Sequence, residues 1–271
     1  MTSTSMLTAT RHGDHDHIVV LALDRPEAMN AISTEFARQI TATMAELAAD
    51  PRVSVVVLTS SAPRAFCVGA DLKERAGFST EELMAHREVS RAAYRSVLDL
   101  PMPVVAALEG YALGGGLELA LSCDLIIASA SAELALPEVS VGLIPGGGGT
   151  QLLTRRLGWS KAASMIFTAA RLSADSAHHL GLVDQLVHEG SALSEALVLA
   201  RSIAANSPVA LREAKSAMRN GQSANINEAL DIEDKSWRAT AISADREEGI
   251  SAFNEKRAPH WDSLQSTTIK S

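Results

Sequence analysis

The chain has 271 residues, 46% hydrophobic and 21% charged, with a net charge of −8. That length suits one large domain or a domain with an appendage, and the composition excludes a disordered chain. The acidic balance disfavours nucleic acid and anionic membrane as partners, and no apolar run approaches the ~18 residues that span a bilayer.

The opening "MTSTSMLTATRHGDHDH" is Ser/Thr-rich and has no apolar stretch of the kind a secretory signal carries. A soluble, cytoplasmic protein is expected. His12, His15 and His17 alternate with Asp14 and Asp16, but neither helical nor zinc-ligand spacing is present, so no metal site is expected. The two cysteines, Cys67 and Cys123, are too few for a disulfide framework and read as buried thiols in a reducing compartment.

A strand begins by Ile18 and ends in a turn at Arg25-Pro26. Ile32, Phe36, Ile40, Met44 and Leu47 then recur at helical spacing, with Ser33 as N-cap and Asp50-Pro51 as the stop. Next comes an irregular repeat of strand, strand, glycine, helix. Its first unit is "VSVVVLTS", "RAFCVG" and "ADLKE", followed by a helix over 81–98. The second is "MPVVAALEG", "YAL", "GGG" and "LELALSCD". The third is "LIIASA", "AELALPE", "GGGG" and "TQLLTRRLG". Stacked units of this kind share one continuous core. After Arg171 a short helix and strand occupy 173–187, and helices follow at 191–206, 207–220, 226–243 and 245–257. Ser207 caps the second of these helices, with Pro208 at its first helical position. These last helices have no strand left to cover, so packing on a neighbouring subunit is expected. The division is a core over 1–200 and a helical region over 201–271.

Neither glycine run is a nucleotide loop. A Walker A loop needs Lys and Ser/Thr after its last glycine, and both runs lack them. The third glycine of a dinucleotide fingerprint would fall at Leu119 or Gln151. A glycine turn before a helix instead leaves outward N–H groups, able to hold an oxyanion that develops during reaction. Glu118 follows one such turn between Leu117 and Leu119. A carboxyl buried there has a raised pKa suited to acid or base work. Glu138 follows Pro137 at a strand end, ahead of the second glycine run. Two carboxylates with backbone donors suit proton transfer beside a carbonyl.

In "LDRPEAMNA", "RAFCVGADLKE", "GYALGGGLELALSCD", "LPEVSVGLIPGGGGTQLLTRRLG", "GLVD" and "EGISAFNEKR" the chain resembles the crotonase, or enoyl-CoA hydratase/isomerase, superfamily. The likeness spans nearly the whole chain, with the motifs in order. It implies an α/β crotonase fold: a spiral of strand–strand–helix units with a C-terminal helical trimerisation region. It implies an acyl-CoA thioester substrate, a homotrimer or dimer of trimers, and no cofactor beyond the coenzyme A of the substrate. By position, the Ala70 and Gly115 N–H groups form the oxyanion hole. Glu118 and Glu138 are the catalytic pair, so hydration of a 2-enoyl-CoA is expected. Gly146 is implied to help position the water. Ala28, Ala70, Asp71, Leu72 and Lys73 fall where the family holds coenzyme A, and Lys256 meets phosphates from a neighbouring subunit. Trp237 and Phe253 line the acyl or pantetheine channel.

The alternatives within the family are hydration of methylglutaconyl-CoA and isomerisation of a 3-enoyl-CoA. No assured cation for a distal carboxylate is evident in the sequence, which ranks the former second. An RNA-binding module is the reading from another class. Arg87, Arg91 and Arg95 recur every four residues on helix 81–98, and one branch of the family carries a basic comb there. The interleaved Glu88 and the net charge favour a solvated face.

Overall fold

A computed structural model describes residues 5–13 and 16–261. The first strands are β1 (Leu7–His12), β2 (Ile18–Leu23), β3 (Val55–Ser60), β4 (Ala65–Cys67) and β5 (Val104–Leu108). The remainder are β6 (Tyr111–Leu113), β7 (Leu125–Ser129), β8 (Glu133–Ala135), β9 (Leu172–Ser173) and β10 (Gln185–Val187). They form two sheets, a large one ordered β1-β2-β3-β5-β7-β10 and a small one ordered β4-β6-β8-β9. β1 pairs antiparallel with β2, and β9 with β8; the other pairings are parallel.

The strand–strand–helix reading explains this split. In each unit the first strand (β3, β5, β7) joins the large sheet and the second (β4, β6, β8) joins the small one. The first strands are runs such as Val55-Val56-Val57-Leu58, buried on both faces, as strands inside a parallel sheet must be. One face packs on α1 (Thr34–Ala49), which Ser33 caps as expected through the Phe36 N–H. The chain's crossovers bring the C-terminal ends of β4, β6 and β8 side by side. Crevices outside such strand ends are where open parallel sheets bind ligands.

Four elements depart from the sequence expectation. β1 was not foreseen, because an edge strand with one buried residue in six shows little apolar pattern. α2 (Leu72–Arg75) is a single turn, and α3 (Thr80–Leu98) follows, opened by a Ser79–Glu82 capping box. α4 (Gly115–Leu121) starts inside the glycine run rather than after it. α5 (Gly149–Leu157) is followed by an unforeseen α6 (Trp159–Phe167).

The expectation that the last helices have no strand to cover is corrected by α8 (Ala192–Ala204), which follows α7 (Ala174–Leu180). Ala192, Ala196, Ala200 and Ala204 form one small-residue stripe against Val20, Val55, Val57, Val105 and Ile127 of the large sheet. The absence of larger side chains lets helix and sheet approach closely, so α8 completes the core although it crosses residue 200. α9 (Pro208–Gly221) is tied on by Lys215, whose Nζ donates to Met102 O at 2.8 Å and to Asp124 Oδ2 at 2.6 Å. α10 (Ile226–Ala241) packs on α9, and α11 (Ala244–Glu255) follows. No helix among the described residues is long and apolar enough to cross a membrane.

Candidate active site

The site is built where β4, β6 and β8 end. After β4 the chain forms a strap over 68–71, tied to the 29–32 segment by Val68 N–H to Met29 O, Ile32 N–H to Gly69 O and Asp71 N–H to Ile32 O. Buried Asn30 stiffens that segment by donating to Phe66 O at 2.9 Å. The strap lies hard against the start of α4. A Cβ on Gly69, whose φ is +89°, would stand 2.9 Å from both Gly115 N and Leu113 O. Only glycine meets both demands there. Ala70 and Gly115 are thereby neighbours. The main-chain N–H groups of both lack an acceptor among the described residues. Gly115 is the first residue of α4, so its N–H is one of the donors a helix leaves over.

Glu118 lies one turn into α4 and is 3% exposed. Its Oε1 accepts the Gly147 N–H at 2.6 Å and the Gly149 N–H at 2.8 Å, from the glycine turn that opens α5. Two such donors stabilise the carboxylate, yet burial outweighs them, and the nearby Glu138 charge adds to it. The carboxyl is pushed up to about 7. It therefore changes protonation state near neutral pH.

Glu138 begins a single 3-10 turn, Glu138–Val141, just after β8. Because β6 and β8 are adjacent, Gly114 N–H donates to Ala135 O at 2.8 Å, and the Glu138 carboxyl comes up against Gly114. A Cβ on Gly114 would stand 2.9 Å from Glu138 Oε1. Glu138 Oε2 is buried with no hydrogen-bond partner among the described residues. Burial raises its pKa, while the charge of Arg75 opposes the rise. Ala70, Gly115, Glu118 and Glu138 are thus brought together, two free N–H groups beside two carboxyls of raised pKa. Such a constellation can hold a developing oxyanion while a proton is taken and another given.

The remaining residues named from sequence divide. Ala28 closes a 3-10 turn at Pro26–Ala28, and Asp71, Leu72 and Lys73 follow Ala70 directly. Asp71 is not a free contact. Its carboxylate caps α2 through the Lys73 and Glu74 N–H groups and pairs with Arg25 at 2.8 Å. Leu72 and Lys73 are exposed. The Gly146 carbonyl accepts from Arg87 Nη2 at 2.6 Å. Trp237 and Phe253 stand 65% and 83% exposed on α10 and α11, and Lys256 is an exposed C-cap, so this chain does not bury them against the glutamate pair.

Arg87, Arg91 and Arg95 do not form one exposed row. Arg87 turns inward to Gly146, Arg91 lies 3.9 Å from Glu88, and Arg95 pairs with Asp99 at 3.0 Å. In the N-terminal His/Asp cluster, His12 Nε2 lies 3.0 Å from Thr10 Oγ1. Asp14 and His15 lie outside the described residues. Both cysteines are buried; burial pushes the Cys67 thiol up to about 12, and it bonds Asn30 O.

Sequence reasoning missed Gly147 and Gly149 as the holders of Glu118, which lies 29 and 31 residues away. It also missed Tyr94 on α3. That phenol is 6% exposed, and its Oη lies 2.1 Å from where a Gly115 Cβ would stand. The helical spacing of Tyr94 to the inward His86 and Ser90 was the available signal.

A family model described as Enoyl-CoA hydratase/isomerase matches residues 13–265. The chain is 40% identical over 243 residues to a Bacillus subtilis protein named putative enoyl-CoA hydratase/isomerase, covering 90% of this chain and 94% of that one. It is 38% identical over 257 residues to human mitochondrial methylglutaconyl-CoA hydratase, covering 93% and 76%. The crystal structure of an enoyl-CoA hydratase from Bacillus anthracis superposes with a TM-score of 0.93 at 37% identity, covering 96% of this chain and all of that one.

Proposed function

This chain belongs to the enoyl-CoA hydratase/isomerase family, and we propose that within it the protein adds water across the 2,3 double bond of a 2-enoyl-CoA thioester. The observation that carries this reading is the meeting of Glu118 and Glu138 beside the unpaired Ala70 and Gly115 N–H groups. Isomerisation needs one carboxyl to carry a proton between two carbons. Hydration uses two, and two are present.

In this mechanism the thioester carbonyl accepts the Ala70 and Gly115 N–H groups. Ionised Glu118 takes a proton from water as its oxygen bonds to Cβ. The π electrons move toward Cα, and negative charge builds on the thioester oxygen. The two N–H groups bind that enolate better than the ground-state carbonyl, which lowers the barrier. Each such donor is worth ~3 kcal/mol. Protonated Glu138 then gives its proton to Cα. Glu118 ends protonated and Glu138 ionised, and exchange with solvent resets the pair. Gly147 and Gly149 aim Glu118 by fixing Oε1, which leaves Oε2 for the water.

Coenzyme A is proposed to lie along 70–73 and Ala28, with Lys73 and Lys256 of a neighbouring copy near its phosphates. That arrangement needs a homotrimer or a dimer of trimers. The exposed apolar residues Met218, Ile226, Leu230, Trp237 and Phe253 on α9, α10 and α11 support assembly through this region.

The test is loss of enoyl-thioester absorbance with crotonyl-CoA, for wild type, Glu118→Gln and Glu138→Gln. Each variant should lose ~10²–10⁴ in kcat. Near wild-type turnover by either would remove the two-carboxyl mechanism.

A further inference from the structure

α3 buries three polar side chains, His86, Ser90 and Tyr94. The first two find partners. Ser90 Oγ lies 2.9 Å from both His86 Nε2 and His86 O, and Thr34 Oγ1 lies 2.9 Å from His86 Nδ1. Tyr94 does not: it is 6% exposed, and no hydrogen bond reaches its hydroxyl among the described residues. A hydroxyl withdrawn from water and left unpaired destabilises a fold. Phenylalanine would fill the same volume without that penalty. The hydroxyl therefore calls for a partner that arrives with a ligand.

The tip of Tyr94 lies at the catalytic pocket, between two glycines. A Cβ on Gly115 would stand 2.1 Å from Tyr94 Oη. A Cβ on Gly147 would stand 2.5 Å and 2.6 Å from Tyr94 Cδ2 and Cε2, and 2.8 Å from Glu118 Oε2. Neither glycine has a φ in the left-handed region, so the backbone does not demand glycine at either place. The phenol is the nearest obstacle at both, and the missing side chains make room for it. Its ring edge lies beside Gly147 and Glu118, and its hydroxyl reaches on to Gly115.

Gly115 is also the residue whose main-chain N–H is unpaired. Because a Cβ stands ~2.5 Å from its own nitrogen, Tyr94 Oη is at most about 4.6 Å from Gly115 N. Two donors that share one oxygen at ~2.9 Å each stand up to about 4.7 Å apart at tetrahedral spacing. The phenol O–H and the Gly115 N–H are therefore close enough to meet on one acceptor. An enolate oxygen has three lone pairs, enough for Ala70, Gly115 and Tyr94 together. Burial raises the phenol well above its ordinary range; the Glu118, Cys67 and Glu138 charges add to this, and Arg75 opposes it. The hydroxyl keeps its proton and remains a donor.

We propose that the Tyr94 hydroxyl is a third donor to the thioester oxygen, beside the Ala70 and Gly115 N–H groups, and so a catalytic residue of the reaction. This rests on the reading of Gly115 as an oxyanion donor in the hydratase site. A neutral phenol in an apolar setting is an effective donor to an enolate oxygen. It gains most when the carbonyl oxygen becomes charged, so it favours the transition state over the bound substrate.

The test reads the enolate first, so that it does not depend on turnover. Acetoacetyl-CoA loses a proton from C2 to give an ultraviolet-absorbing enolate, and donors on its thioester oxygen lower the pH at which the bound ligand ionises. That pH is measured by absorbance for wild type and for Tyr94→Phe, which keeps the ring and removes only the hydroxyl. The variant should ionise the bound ligand about one to two pH units higher, the 10–100-fold of a hydrogen bond to a charged oxygen. With crotonyl-CoA its kcat should fall by about 10–100-fold while KM stays within about 3-fold. Its thermal midpoint without ligand should be no lower than that of wild type, because no bond within the fold is lost. An unchanged ionisation pH would overturn the proposal. So would a lowered midpoint, which would put the partner of the hydroxyl inside the fold. An enolate effect in a protein that does not hydrate crotonyl-CoA would support this assignment and fault the hydratase reading instead.

Discussion

Glu118→Gln should cost activity and at the same time stabilise the fold, in a pH-dependent way. The folded carboxyl titrates near 7 against 4.5 for the unperturbed group, chiefly because it is buried. Between those values the folded state holds a proton that the unfolded state has released. Stability therefore falls as pH rises from 4.5 through 7, and above 7 the penalty is complete. At 1.36 kcal/mol per pH unit over that interval, ionised Glu118 costs about 3 kcal/mol. Glutamine is neutral at every pH, and its Oε1 can keep the Gly147 and Gly149 N–H bonds. Urea unfolding at fixed protein concentration should show the variant gaining on wild type by up to about 3 kcal/mol between pH 4.5 and pH 8. A wild-type-minus-variant difference that stays constant across this range would refute the reasoning.

Three further outcomes follow from the same geometry. For wild type, kcat/KM should rise as pH increases through about 7, because Glu118 must be ionised; Glu118→Gln should lack this limb. Gly115→Ala should abolish hydration, since its Cβ would fall 2.1 Å from Tyr94 Oη; adding Tyr94→Phe should restore part of the activity, leaving the nearest ring carbon at 3.2 Å. Asp124→Ala should lower stability by about 3 kcal/mol or more in thermal or urea unfolding, because it strands buried Lys215 together with Arg219.

The parts of the site carried on one short segment were legible in the sequence. Gly115 and Glu118 share the start of a helix, and an acid flanked by leucines after a glycine turn already points to a buried, titrating carboxyl. The unit repeat was legible because each strand is a continuous apolar run bounded by a turn. What depends on distant contacts was not. The grip of Gly147 and Gly149 on Glu118 is set by how two units stack, and the inward turn of Arg87 by a carbonyl 59 residues away. From spacing alone, Arg87, Arg91 and Arg95 look equivalent; successive steps of four residues rotate them around α3, and only Arg87 reaches the pocket. α8 hid its role because alanine at every fourth position gives a weak apolar signal, although small side chains are what a helix laid flat on a sheet requires.

Hydration is tested most directly by turning over crotonyl-CoA in separate ¹⁸O-labelled and deuterated water and reading the product by mass spectrometry. One ¹⁸O at Cβ and one deuterium at Cα are predicted, with both signals lost in Glu118→Gln. Deuterium entering the acyl chain without any ¹⁸O would mean proton shuttling alone, and would contradict the addition of water.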